Sequence, residues 1–393
     1  MLRDIGPTNR HVMLYIFFRA LSAGLWFNQR QLYLSELGAT SQQIGTALTV
    51  EALFAGLVML PAGFLSDRFG PRRVILGALS MGIIGLVLMA TAESWSSAIP
   101  GLVFYSLTSA SSPALLSLVL YSIPDRSIPG ISEKVLATVM ASWPAAQIVS
   151  PWLGGVIAEK TTMRTNLWIA AGIFMIGTVI MLLIKGVELP DKTDSDVDQH
   201  IPAALLRNKP FILLVGYFMF VMITVYVGFK LLPSFLQETR GFSLATIGFL
   251  FSVSSVGAVV INLISGRSRP RWSFVGLIAL HWLAYFVLWQ TTDVGWAGVS
   301  LFLLGATTAT WVVRNACIVQ VVREQNRGQA FGIMGLVVFV GEAIAAWMAG
   351  QLFDLSPMHD LPLIVGLAGI FIMLVLWFLL RLGPIIDSTG RTK

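Results

Sequence analysis

Gly63-Phe64-Leu65-Ser66-Asp67-Arg68-Phe69-Gly70-Pro71-Arg72-Arg73 is a short polar passage between two long apolar runs, 42 to 65 and 74 to 92. Its arginines and aspartate are poorly suited to hydrocarbon. An apolar run of about 20 residues, by contrast, is what an α-helix needs to cross the roughly 30 Å lipid core. Working outward with that criterion gives spans at 12 to 34, 42 to 65, 74 to 92, 98 to 122, 134 to 158, 166 to 185, 210 to 236, 243 to 265, 273 to 291, 295 to 319, 329 to 352 and 361 to 381. Twelve spans predict an all-α membrane protein, and the passage at 63–73 is the turn joining spans 2 and 3.

Composition agrees. Hydrophobic residues make up 56% of the 393 and charged residues only 12%, with a mean hydropathy of +0.78, whereas soluble domains carry about 25% charged residues. A cytosolic enzyme is excluded. The polar start, Met1 to Pro7, lacks the apolar core and cleavage site of a signal peptide, so span 1 is expected to stay in the mature protein. The single cysteine, Cys317, cannot form an internal disulfide, and no Cys/His cluster has metal-site spacing. Neither a phosphate-binding loop nor a His-Glu-x-x-His motif occurs, which excludes ATP-driven pumping and predicts no cofactor and no metal.

The net charge is +6, and its placement is a topology signal rather than a nucleic-acid surface. Arg30, Lys160, Arg164, Lys230 and Arg240 fall on one side. The other basic residues, apart from Arg19 and Arg314 inside spans, fall on the side of the N-terminus. By the positive-inside rule both termini are expected in the cytoplasm, in an inner (plasma) membrane. The stretch Gly186 to Lys209, with Asp191, Lys192, Asp194, Asp196 and Asp198, is too charged to span. It predicts a linker at 187–209 between six-helix bundles at 1–186 and 210–393. The halves also echo each other in order. Ser35-Glu36-Leu37-Gly38 with Ile44-Gly45 parallels Glu238-Thr239-Arg240-Gly241 with Ile247-Gly248. Pro71-Arg72 parallels Pro270-Arg271, Asp125-Arg126 parallels Asn326-Arg327, and Trp152-Leu153-Gly154-Gly155 parallels Trp347-Met348-Ala349-Gly350. A duplicated six-span unit explains these offsets of about 195 to 203 residues, as in transporters built from repeats.

The 63–73 passage resembles the signature loop of the major facilitator superfamily, Gly-x-Leu-Ala-Asp-Arg/Lys-x-Gly-Arg/Lys-Arg/Lys, departing at Ser66 and Pro71. The resemblance implies a cytoplasmic gate made by Gly63, Asp67, Arg68, Gly70, Arg72 and Arg73. The second-half copy, Gly266-Arg267-Ser268-Arg269-Pro270-Arg271, lacks the acid. In span 5, Gln147-Ile148-Val149-Ser150-Pro151-Trp152-Leu153-Gly154-Gly155 is similar to the Gly-Pro-x-x-Gly-Gly motif of the superfamily's proton-driven drug and solute antiporters, with Ser150 for the first glycine. Those exporters usually carry an arginine in span 4. Here span 4 has no charge, so their proton-relay assignment is not carried over.

Ionisable side chains inside a membrane are costly and usually face a cavity. In span 1, Tyr15, Arg19, Ser22, Trp26, Gln29 or Arg30, and Tyr33 recur at helical spacing along one face. In the superfamily the first and fourth helices of each half line the central cavity. That would set this stripe opposite Tyr217, Thr224, Tyr226 and Lys230 of span 7 and Thr307, Trp311, Arg314 and Asn315 of span 10. Arg30 and Lys230 either face the cavity or snorkel to the headgroups. Trp26 and Trp311 share a face with an arginine. The expected substrate-binding set is therefore Arg19, Trp26, Arg30, Tyr33, Tyr226, Trp311, Arg314 and Asn315. Guanidinium forks suit a carboxylate or phosphate, and the aromatic rings suit an apolar body.

Two acids, Glu51 in span 2 and Glu342 in span 11, are candidates for proton coupling, since desolvation makes a carboxylate hold its proton more tightly. Either is alternatively a permanent ion-pair partner of Arg19 or Arg314. His281 in span 9 reads as a packing or lipid-facing histidine. The resulting expectation is a monomeric secondary transporter working by alternating access. It would export a small amphiphilic solute, with an acidic group, in exchange for protons, the proton gradient being the energy source. The alternative is a proton-coupled symporter or exchanger for an organic anion.

Overall fold

At Gly70 the backbone adopts φ 84°, and Pro71 opens the next helix, Pro71–Ala90. Glycine tolerates positive φ, and proline suits a first helical turn, where its missing N–H costs nothing. In a computed structural model of the chain, residues 6–123, 131–184, 205, 207–265, 269–322, 327–380 and 382–383 are described. Most of the linker at 187–209, Asp125-Arg126, Asn326 and the loop copy at 266–268 lie outside the described residues, as do the surroundings of Gly63 and the side chains of Asp67 and Arg327.

The described residues form helices and no strand. Ten helical segments are long and apolar enough to cross a membrane. The segments expected as spans 1 and 5 are interrupted helices. Span 1 comprises Pro7–Trp26, a 3-10 turn at Phe27–Gln29, and Arg30–Glu36. Span 5 comprises Ile131–Met140, Ser142–Gln147 and Ser150–Lys160. Pro144 and Pro151 each remove a helical hydrogen bond, which accounts for the breaks in span 5. Polar caps start other helices. Ser94 and Ser97 form a capping box, and Thr162, Asn208 and Asp293 accept from backbone N–H groups three residues on. These side chains satisfy donors that a helix start leaves open.

Backbone contacts divide the chain into two units. One consists of Met1–Ala39, Phe54–Asp198 and Ser243–Ser252, and the other of Thr40–Leu53, Gln199–Phe242 and Val253–Lys393. In the first unit, span 1 packs on span 6 and on the pieces of span 5. Ser22 donates to the Ala170 carbonyl and Asn166 to those of Leu25 and Gly154. In the second, span 7 packs on spans 11 and 12, and Tyr217, Phe218, Phe274 and Trp377 form one aromatic cluster.

Gly154 is where the span-5 motif meets span 1. A Cβ there would lie 1.9 Å from the Leu25 carbonyl oxygen, a backbone atom that cannot swing aside. Gly154→Ala is expected to lower stability by about 1–3 kcal/mol, as overpacking does. Gly172→Ala, with nothing within 4 Å of its Cβ position, is expected to leave stability unchanged. Thermal unfolding in detergent distinguishes the two.

Glu159, at the end of the helix Ser150–Lys160 and past the expected apolar span 134–158, accepts a hydrogen bond from the Ala245 N–H at 2.8 Å. That bond, together with the Ser243 hydroxyl, holds the carboxyl below its ordinary range. The direction fixes the sign of its effect. A lowered pKa contributes stability that is complete above the ordinary carboxylate range and is lost as pH falls through the lowered value. Glu159→Ala is expected to be less stable than the parent at pH 7 and to converge with it in acid. A constant difference in melting temperature from pH 7 down to acid would refute this.

Candidate functional site

Spans 1, 4, 7 and 10 are all interrupted. Span 1 breaks at Phe27–Gln29, span 4 has a 3-10 turn at Leu107–Ala110, span 7 stops at Phe229 before resuming at Leu232, and span 10 is divided at Gly305. Broken helices at membrane depth are tolerated where they are buried in protein or line a cavity, and transporters place substrate and ion sites at such breaks. Each unit carries basic side chains at its own breaks. Arg30 follows the break in span 1, Lys230 caps the helix end in span 7, and Arg19 donates to the Thr108 carbonyl in the turn of span 4 at 3.4 Å.

Arg314, in the second unit, is 2% exposed. Its guanidinium lies over the Trp311 ring, 4.5 Å from the centroid. Nε and Nη2 both donate to Asn315 Oδ1, at 3.3 and 3.1 Å. Nη1 is buried and has no partner. No carboxylate lies within ion-pair reach among the described residues. A free N–H edge on a buried cation is chemically able to donate to an anion, and an aromatic face beneath it stabilises the positive charge. Arg19, half-buried in the first unit, repeats the pattern more loosely. It lies 5.5 Å from the Trp143 ring centroid, and its Nε is buried without a partner.

Lys230 and Glu342 form an ion pair, Nζ to Oε1 at 2.5 Å, with side chains 4% and 15% exposed. Lys230 also lies 5.5 Å from the Tyr226 ring centroid. At 3% overall exposure it is buried rather than reaching for the headgroups, and Arg30, at 6%, is likewise buried, stacked on Phe27. Glu342 therefore pairs with Lys230, a partner that sequence spacing did not suggest. Phe339, one turn earlier on the same helix, meets Trp311 edge-on, so the Arg314 platform and the Glu342 helix touch within one unit. Glu51 is 7% exposed.

The remaining predicted residues are distributed as follows. Trp26 and Tyr33 are buried beside Arg30, and Tyr33 donates to the Met89 carbonyl. Tyr217 is committed to the aromatic cluster and donates to the Met373 carbonyl. His281 is fully buried, bonded to the Leu277 carbonyl and to Thr307, and so packs inside the bundle instead of facing lipid. In the span-5 motif, Gln147 donates to the Ala20 carbonyl at 2.6 Å, and Ser150 and Pro151 are buried with Gly154 and Gly155. In the gate motif, Arg72 donates to the Leu182 carbonyl at 2.8 Å, while Arg68 and Arg73 are exposed.

A polytopic helical fold with broken helices and buried cations at the breaks defines a membrane transporter. A family model described as Major Facilitator Superfamily matches residues 12–310. The chain belongs to the major facilitator superfamily, and it is a multi-pass inner-membrane transporter, not an enzyme. It is 24% identical over 376 residues to the enterobactin exporter EntS of Salmonella typhi, covering 88% of this chain and 86% of that one. It is 26% identical over 271 residues to EntS of Escherichia coli O1:K1 / APEC, covering 66% and 64%. Among solved structures, it is similar to a POT family transporter in complex with 5-aminolevulinic acid, with a TM-score of 0.80 at 14% identity, covering 97% and 98%. It is also similar to the nucleoside transporter NupG, with a TM-score of 0.73 at 12% identity, covering 97% and 99%.

Proposed function

We propose that the protein exports a small amphiphilic organic solute bearing an acidic group, in exchange for protons and by alternating access, as a monomer energised by the proton gradient. The observation that carries this reading is Arg314, a buried guanidinium with a free Nη1 edge, no carboxylate among the described residues, and the Trp311 face beneath it. An acid group would take the free N–H edge, and the aromatic surfaces of Trp311 and Tyr226 would take the apolar body. Asn315 orients the guanidinium. Within the first unit, Arg19 with Trp143 offers a guanidinium and ring of the same kind, and Trp26, Arg30 and Tyr33 belong to the polar face of span 1. Export is favoured by the likeness to proteins named as enterobactin exporters and by the span-5 motif.

Proton exchange is assigned to the carboxylates. Glu342, paired with Lys230, can take a proton only by weakening that pair, so protonation and helix contact are linked at one place. Glu51 is the second acid. The uncharged span 4 favours the rival reading, proton-coupled symport or exchange of an organic anion. Proteoliposomes with an imposed pH gradient separate the two. Antiport moves an acid-bearing fluorescent solute against the proton flow, and solute movement along the proton flow would overturn it in favour of symport.

A further inference from the structure

At the break in span 1 the chain leaves three buried polar atoms without partners: Trp26 Nε1, Gln29 Oε1 and Asn166 Oδ1. The three residues are 4%, 3% and 2% exposed. They line one pocket together with Arg30, Tyr33 and Met163, with room for about one water-sized sphere. The other polar side chains that line the pocket are engaged. Asn166 Nδ2 donates to the Leu25 and Gly154 carbonyls, at 2.7 and 3.3 Å, which fixes its amide with the oxygen as the atom left over. Gln29 Nε2 donates to the Leu244 carbonyl, Arg30 to the Phe27 carbonyl and Tyr33 to the Met89 carbonyl.

What remains is one donor and two acceptors, and that sum selects the ligand. An indole N–H only donates and an amide oxygen only accepts. The complementary species must accept once and donate twice. An anion would face two amide oxygens, and a metal cation would face an N–H and stand beside the Arg30 guanidinium. An alcohol could serve only one of the oxygens. Water fits all three, with the number of bonds a buried water ordinarily makes. We propose that this pocket is a binding site for a single ordered water, held by Trp26, Gln29 and Asn166, that bridges the broken part of span 1 to span 6. The atoms all belong to the first unit.

Radiolytic hydroxyl-radical labelling of the full-length protein tests it, because radicals formed from a bound water oxidise the side chains beside it even when these are buried. Met163, at 4% exposure, and Trp26 are expected to be oxidised several-fold faster than Met89 and Met181, at 1% and 0%. Rates equal to those two methionines would overturn the site. Gln29→Leu removes one acceptor and fills the space, and should bring Met163 to the control rate. An unchanged rate would mean that bulk solvent, not a bound water, reaches it, and would also overturn the proposal. Should that variant fail to fold, a density map of the parent protein decides. One peak at hydrogen-bond distance, about 2.7–3.2 Å, from all three atoms is expected. No peak, or one too large for water, refutes it.

Discussion

Arg314→Met is expected to weaken binding of an acid-bearing solute by about 10- to 150-fold, while a methyl ester of the same solute binds parent and variant alike. The magnitude follows from hydrogen bonds to a charged group, worth about 1.5–3 kcal/mol. Methionine is chosen because the site is 2% exposed, and truncation to alanine would add a cavity penalty unrelated to charge. Two companion variants test the mechanism itself. Arg314→Lys keeps the charge but loses the planar fork, and should fall between parent and methionine. Asn315→Asp leaves the guanidinium in place but puts a carboxylate where Oδ1 now accepts from Nε and Nη2. The pair would then be neutral, and affinity for the anion should drop although Arg314 is intact. Isothermal titration with acid and ester reads all three. Equal affinities for acid and ester in the parent, unchanged in Arg314→Met, would remove the anion site.

The helical membrane fold and the family were legible in the sequence because both rest on signals of long range. Hydrophobic runs some 20 residues long survive local irregularity, and the Gly-Asp-Gly spacing at 63–70 is specific. Helix interruptions were less legible. Span 5 has Pro144 and Pro151 to announce its breaks, but span 1 breaks at Trp26 to Gln29 without a proline, held by side chains from a distant helix, Asn166 in particular. Pairing was the least legible of all. Glu342 lies 112 positions from Lys230, and no periodicity within one helix reports which neighbouring helix supplies a countercharge. The same limit applies to His281. Its sequence neighbours fit a packing or a lipid-facing histidine alike, and the packing of span 9 on span 10, with Thr307 bonded to its ring, decides for packing.

The Lys230–Glu342 pair gives the second large effect, in which stability and coupling must be separated. Glu342→Gln strips a buried ammonium of this carboxylate, and breaking a buried pair from one side costs about 3–5 kcal/mol. The single variant is therefore expected to melt well below the parent, and loss of transport in it would say nothing about protons. Replacing both residues by methionine removes both charges, and exchange of a buried pair for apolar residues is often neutral or stabilising. The double variant is thus expected to recover most of the melting temperature. With folding restored, the transport measurements become informative. If Glu342 carries the proton, the double variant exchanges labelled solute across the membrane at equilibrium but does not concentrate it when a pH gradient is imposed. If it concentrates solute as well as the parent does, the pair is a fastening between spans 7 and 11, and the proton must be carried elsewhere. The two measurements diverge because counterflow needs only the cycling of loaded carrier, whereas concentration against a gradient needs a group that changes its proton occupancy within that cycle.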